Sequence, residues 1–167
     1  MIHTRLIWHI LAASLALMCG TVVAGGAGTL VSKVELSDWK PSFKNLPEDA
    51  PRPVVYSFPL MGEMACGLLL KGSPTIFPLL EPDEAAGGWP SCGGIVDATS
   101  FAWKGQPIYV YRYIQKDTRE DANRYDAFVR IGTNGIEFVE EINPDEHETP
   151  KTIAETVIWA KTKLKNK

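Results

Sequence analysis

Few side chains in this sequence have the types and spacings that catalysis needs. Cysteine occurs three times, at Cys19, Cys66 and Cys92, and histidine beyond residue 24 occurs once, at His147. A thiol nucleophile needs a neighbouring base, and His147 is the one imidazole past that point. It stands in the run Asp145-Glu146-His147-Glu148, where imidazole and carboxylates could hold a divalent cation. Consecutive residues rarely converge on one ion and no zinc spacing accompanies them, so a solvated acidic loop is favoured. Ser37-Asp38-Trp39-Lys40 has the S-x-x-K spacing, which works when a helix sets both side chains on one face; Pro41 disfavours helical geometry at Lys40. The nucleophile elbow G-x-S-x-G, the H-E-x-x-H helix and a phosphate loop ending in Gly-Lys-Ser/Thr do not occur. The expectation is a binding protein with no catalytic residues, no metal and no cofactor.

The cysteines take their meaning from the first 24 residues. Met1 to Ala24 carries Arg5 as its one charged side chain, runs apolar from Leu6, and closes on Val22-Val23-Ala24, a signal-peptidase pattern. Cleavage there makes Gly25 the first mature residue and places the chain in the periplasm or outside the cell. The alternative is an uncleaved anchor, for which Leu6 to Val23 is slightly short of the about 20 residues that span a bilayer. Lipid attachment at Cys19 is disfavoured by Met18, where a small residue is wanted. With Cys19 gone, Cys66 and Cys92 remain, and in an oxidising compartment two cysteines read as one disulfide rather than a reactive thiol. The loop it closes is worth roughly 3 to 4 kcal/mol.

The elements that must position these residues are mostly strands. Leu30 to Trp39 suits an edge strand or extended arm, and Lys40 to Pro53, with four prolines, an irregular connection within one domain. Val54 to Phe58, Gly67 to Lys71 and the following Thr75 to Leu80 read as short strands. Glu81 to Gly94 holds four glycines, two prolines and three acids and reads as a loop throughout, tied to the second strand through Cys92. Ile95 to Trp103 and Gln106 to Gln115 form a hairpin about Lys104-Gly105, and Tyr125 to Ile131 and Gly135 to Ile142 another about Thr133-Asn134-Gly135, whose Asn-Gly pair supplies positive φ. Thr149 as N-cap with Pro150 behind it opens a helix whose apolar face is Ile153, Val157, Ala160 and Leu164. Lys161, Lys163 and Lys165 complement its C-terminal dipole. The fold class is therefore α+β: a mainly antiparallel sheet of about six to seven strands with one C-terminal amphipathic helix packed on it, residues 25–167 forming one disulfide-tied domain.

Two groups of residues are candidates for contact with a partner. Glu81, Asp83, Glu84 and Trp89 lie on the cysteine-tied loop, which is acidic and carries an aromatic. In the strand Tyr109-Val110-Tyr111-Arg112-Tyr113 the three tyrosines share one face, which either packs under other elements or forms a contact surface. Arg112 falls on the opposite, aliphatic face, where it needs a carboxylate partner or a sheet edge.

The 167 residues are 45% hydrophobic and 22% charged, with a formal charge of −3, and removal of the leader takes away one cation and no anion. Such a chain is neither a membrane bundle nor a natural nucleic-acid binder, which needs a basic surface. In overall layout, an exported, small, disulfide-tied domain without a catalytic set, it resembles the periplasmic immunity proteins that protect Gram-negative bacteria from effectors delivered by type VI secretion. The resemblance is one of layout and carries over no site residue. It implies an inhibitor that blocks the active site of an exported effector or hydrolase, with no nucleic-acid partner and no membrane span after cleavage. The alternative is a small envelope enzyme or small-ligand carrier with its pocket between helix and sheet.

Overall fold

The computed structural model describes residues 29–30, 34–37, 43–57, 62–83, 85, 87–88, 90–116, 122–142 and 152–166. The expected leader, His147, Thr149 and Pro150 lie outside them. Nine strands and one helix are present among these residues: β1 (Thr29–Leu30), β2 (Glu35–Leu36), β3 (Arg52–Ser57), β4 (Met64–Leu69), β5 (Thr75–Leu80), β6 (Ser91–Trp103), β7 (Gln106–Lys116), β8 (Ala122–Gly132), β9 (Gly135–Phe138) and α1 (Ile153–Lys165). The α+β class expected from the sequence is the one observed. The strands form two antiparallel sheets, ordered β1-β5-β4-β3-β2 and β6-β7-β8-β9, rather than a single one.

Strand β7 explains why two sheets are needed. Its residues alternate between two apolar faces, and each must be covered. The face carrying Tyr109 and Tyr111 packs against Val55, Cys66 and Leu68 of the first sheet, and the face carrying Ile108 and Val110 packs under Ile153, Ala160 and Leu164 of α1. The molecule is thus layered sheet, sheet, helix. A smaller cluster of Val54, Tyr56, Ala65 and Ile76 lies on the other face of the first sheet.

Local sequence accounts for the turns. Lys104 and Gly105 both have positive φ, 47° and 80°, the backbone a two-residue hairpin between right-twisted strands demands. In the β8–β9 hairpin the turn residues are Thr133 and Asn134, and of the expected Asn-Gly pair Gly135 alone has positive φ, at 116°. The helix starts later than Thr149 would give: Thr152 is the N-cap, its hydroxyl accepting from Glu155 N–H while the Glu155 carboxylate accepts from Thr152 N–H. That reciprocal capping box satisfies two donors at once, which a Thr-Pro start does not.

The sequence also misplaces the start of β6. Ser91 to Gly94 is strand rather than loop, with register shifts between Cys92 and Gly94 and between Ile95 and Asp97. The two glycines that resembled a loop signal serve a bulge. A Cβ at Gly93 would stand 2.8 Å from Ile114 Cγ2, so the bare backbone there lets β7 approach.

Candidate functional site

The loop between β5 and β6 is held at both ends. Leu80, the last residue of β5, lies opposite Cys66 of β4, and Cys66 forms the expected disulfide with Cys92 of β6 across a Cα–Cα distance of 5.3 Å. Both cysteines are buried, and the bond ties the first sheet to the second. Gly94 N–H donates to Cys92 Sγ at 3.2 Å, so the bulge also fixes that sulfur.

Beyond Leu80, the described residues of the loop make specific polar contacts. Glu81 is half-buried, and its Oε1 accepts from the fully buried Tyr56 hydroxyl at 2.5 Å. Asp83 is exposed; its carboxylate accepts from Ala85 N–H at 2.9 Å and its carbonyl from Gly88 N–H at 2.8 Å. This is the local bond by which Asp imitates a backbone turn. Gly87 and Gly88, at φ 79° and 90°, turn the chain back, and Gly88 lies against Glu63, whose Cγ would be 3.1 Å from an added Cβ. Glu84 and Trp89 lie outside the described residues. Glu81 and Asp83 thus sit on one loop, and Glu63, just ahead of β4, lies against it at Gly88.

The three tyrosines do not share an environment. Tyr109 and Tyr111 are buried between the sheets, which withdraws them from any surface in the folded protein. Burial raises both phenols above their ordinary range, aided by the Asp49 charge at Tyr109 and by Tyr109 at Tyr111. The Tyr111 hydroxyl donates to the Pro51 carbonyl at 2.5 Å, a polar link between the sheets. Tyr113 is half-buried, stacks on Tyr125 with ring centroids 5.8 Å apart, and lines a groove.

That groove was not foreseen. It is a recess of about 270 Å³ bounded by Leu79 of β5, Tyr113 of β7, Phe128 of β8 and the segment Phe138 to Ile142. Its floor is the outer edge of β8. Strand β9 pairs with β8 from Val129 to Gly132, and Val139 N–H extends this by one bond to Phe128 O at 2.9 Å. Among the described residues no strand pairs with β8 on that side before Phe128. Phe138 stands at the rim, 48% exposed, with its ring centroid 5.0 Å from that of Phe77. A groove assembled from β5, β7, β8 and β9 has no linear motif; the exposed phenylalanine in the second hairpin was its one trace in the sequence.

Arg112 has the carboxylate partner its face required. Its Nε and Nη2 each donate to Asp126, the residue opposite it on β8, at 2.7 Å, and Nη2 also donates to Thr156 Oγ1 at 3.0 Å. The Thr156 hydroxyl donates in turn to Asp126 Oδ2 at 2.6 Å. The hydrogen bonds that Arg112 donates to Asp126 raise the guanidinium further above its already high range, against an opposing effect of burial. The three side chains are buried and pin α1 to the sheet, so they form a structural lock. The layer between helix and sheet, where a carrier's pocket would lie, is filled by Phe101, Ile108, Val110, Phe128, Ile153 and Leu164.

Among the described residues no three His, Cys, Asp or Glu side chains converge to hold a metal ion, and no helix is long and apolar enough to cross a membrane. No protein-family model matches the chain, and comparison with curated proteins and with solved structures returns no match.

Proposed function

We propose that this chain is an exported binding protein, an inhibitor or immunity protein that occupies the active site of an exported effector enzyme. The observation that supports this reading best is the pair of anchored acids, Glu81 and Asp83, on the loop that leads to Cys92. Glu81 and Asp83 are held by specific hydrogen bonds on a segment whose far end is bonded through Cys92 into the opposite sheet. A segment already fixed in shape loses little conformational freedom on binding, which leaves more of its contact energy as affinity. Its charge suits a basic or polar cleft, and like-signed potentials would reject other partners. The leader-like first 24 residues and the disulfide fit an oxidising, exported location.

The test starts from the mature chain, Gly25 onward, produced in the periplasm with a tag and used to capture partners for mass spectrometry. A captured enzyme is then assayed with increasing amounts of the chain. Stoichiometric inhibition is the expected result, together with a loss of affinity of about tenfold or more when Glu81, Asp83 and Glu84 are all changed to Ala. Unchanged affinity in that triple variant removes the loop from the interface, and an uninhibited enzyme removes the function.

A further inference from the structure

We propose that the groove on the outer edge of β8 takes an apolar side chain from an extended segment of the partner protein, with a neighbouring Lys or Arg of that segment seated on Glu140. This rests on reading the chain as a protein-binding protein, and names the chemistry of what it binds.

Size and lining suit a side chain. At about 270 Å³ the recess lies at the lower end of small-molecule sites and has room for a single anchor, and it is lined by Leu79, Tyr113 and Phe138, the surfaces on which an aromatic or leucine anchor packs. Phe138, nearly half exposed at the rim, is an apolar group whose remaining surface would be removed from water by such an anchor.

Charge argues for a cationic neighbour. Glu137, Glu140 and Glu141 fall within five positions beside the groove. Arg130 serves two of them, its Nε donating to Glu137 at 2.6 Å and its Nη1 to Glu141 at 3.5 Å. Glu140 lines the groove, is exposed, and makes no ion pair with any described residue. One acid at the mouth of an apolar recess, on a chain of net negative charge, selects a segment in which an apolar residue is followed by a base.

The main chain argues for an extended conformation. Since Phe128 O accepts from Val139 N–H, strand alternation turns the N–H and C=O of Asp126 to that same outer side, beyond the last pairing of β9. An extended segment entering the groove meets a strand edge there, the geometry of β-strand addition.

The probe is an end-blocked heptapeptide Gly-Lys-Thr-Phe-Thr-Lys-Gly, titrated into the isotope-labelled mature chain with amide chemical shifts as the readout. Shifts centred on Asp126 to Phe128 and Phe138 to Ile142 are expected, with a dissociation constant below about 1 mM. Affinity should fall about tenfold when the peptide lysines become glutamate, and similarly for Glu140→Lys. Phe138→Ser should weaken binding too; Glu140 is exposed, so the thermal transition of Glu140→Lys should match the parent, whereas Phe138→Ser also gives up the ring contact with Phe77 and is read at a temperature where it is fully folded. The proposal is overturned by absent shifts, or by affinity indifferent to the peptide's charge and to Glu140→Lys. It is equally overturned if the Asp126 amide is already protected from exchange in the free chain, at every concentration if the chain's own residues fill the groove, or only at high concentration if a second copy does. A captured enzyme whose affinity ignores Glu140→Lys and Phe138→Ser but falls in the loop-acid variant overturns the groove alone and leaves the inhibitor reading standing.

Discussion

Replacing Asp126 with Ala tests whether the buried ion pair holds the helix to the sheet. The Arg112 and Asp126 side chains are 4% and 5% exposed, and two bonds of 2.7 Å join them. Truncating the acid leaves a guanidinium in the apolar layer with Thr156 as its remaining partner in this group, and breaking such a buried pair from one side costs about 3–5 kcal/mol. Against a typical total of about 5–15 kcal/mol, that is a large share of the stability. With a denaturant slope of about 1–3 kcal/mol per molar, the urea midpoint should fall by about 2 M. Arg112→Met with Asp126→Leu removes both charges and keeps apolar volume, and should return to within about 1 kcal/mol of the parent, as buried pairs exchanged for apolar groups commonly do. The Thr156 hydroxyl then turns to the Thr152 carbonyl, 3.5 Å away. Urea unfolding followed by the fluorescence of Trp103 and Trp159 measures all three proteins. A loss below about 1 kcal/mol in Asp126→Ala, or a double variant no better than the single one, would refute the lock.

Three further outcomes are expected. Tyr109 and Tyr111 have phenols raised by burial in the folded state, so their stabilising effect is whole below the unfolded value of about pH 10 and is lost as pH rises toward the folded values. Stability should therefore fall above pH 10, by up to about 1.4 kcal/mol per pH unit for each phenol, and Tyr111→Phe should make the fall shallower; urea titrations between about pH 9 and 11.5 would detect a flat curve as a failure. Reduction of Cys66–Cys92, with 26 residues of separation, should lower stability by about 3–4 kcal/mol, and equal melting with and without reductant would refute this. Gly67→Ala would bring a Cβ to 2.5 Å from Ile76 Cγ2 and 3.0 Å from Phe77 O, and should destabilise by about 1–3 kcal/mol in thermal unfolding, an unchanged melt showing that the strands relax freely.

What the sequence could reveal followed from the range of the interaction. Strand β7 was legible from Gln106 onward because period-two alternation is local, and so was the apolar face of α1. The demand for a partner at Arg112 was legible too, while the identity of Asp126 was not, since it depends on the register of β7 with β8. A second sheet was hidden for the same reason: tyrosines covering a surface and tyrosines lining a core read alike until β3 and β4 are placed over them. Glycine misled at Gly93 and Gly94, where a bulge and a loop call for the same residue. The loop acids were visible as a cluster, but the bond from Tyr56 to Glu81 joins residues 25 apart through the fold.

The position of the acidic loop and of the groove follows from the ends and edges of the strands. The loop leaves β5 immediately beyond Leu80, and Leu79, one residue earlier, forms a wall of the groove. The acidic loop therefore begins at the end of the strand that supplies a wall of the apolar recess. The register shift between Cys66 and Gly67 interrupts strict alternation here, so Leu79 and Leu80 both pack on the layer between the sheets, Leu79 beside Tyr113 in the groove and Leu80 opposite Cys66. The disulfide from Cys66 to Cys92 joins this end of the first sheet to the second, so the same covalent bond that stabilises the domain holds together the strands from which the loop and the groove wall are built.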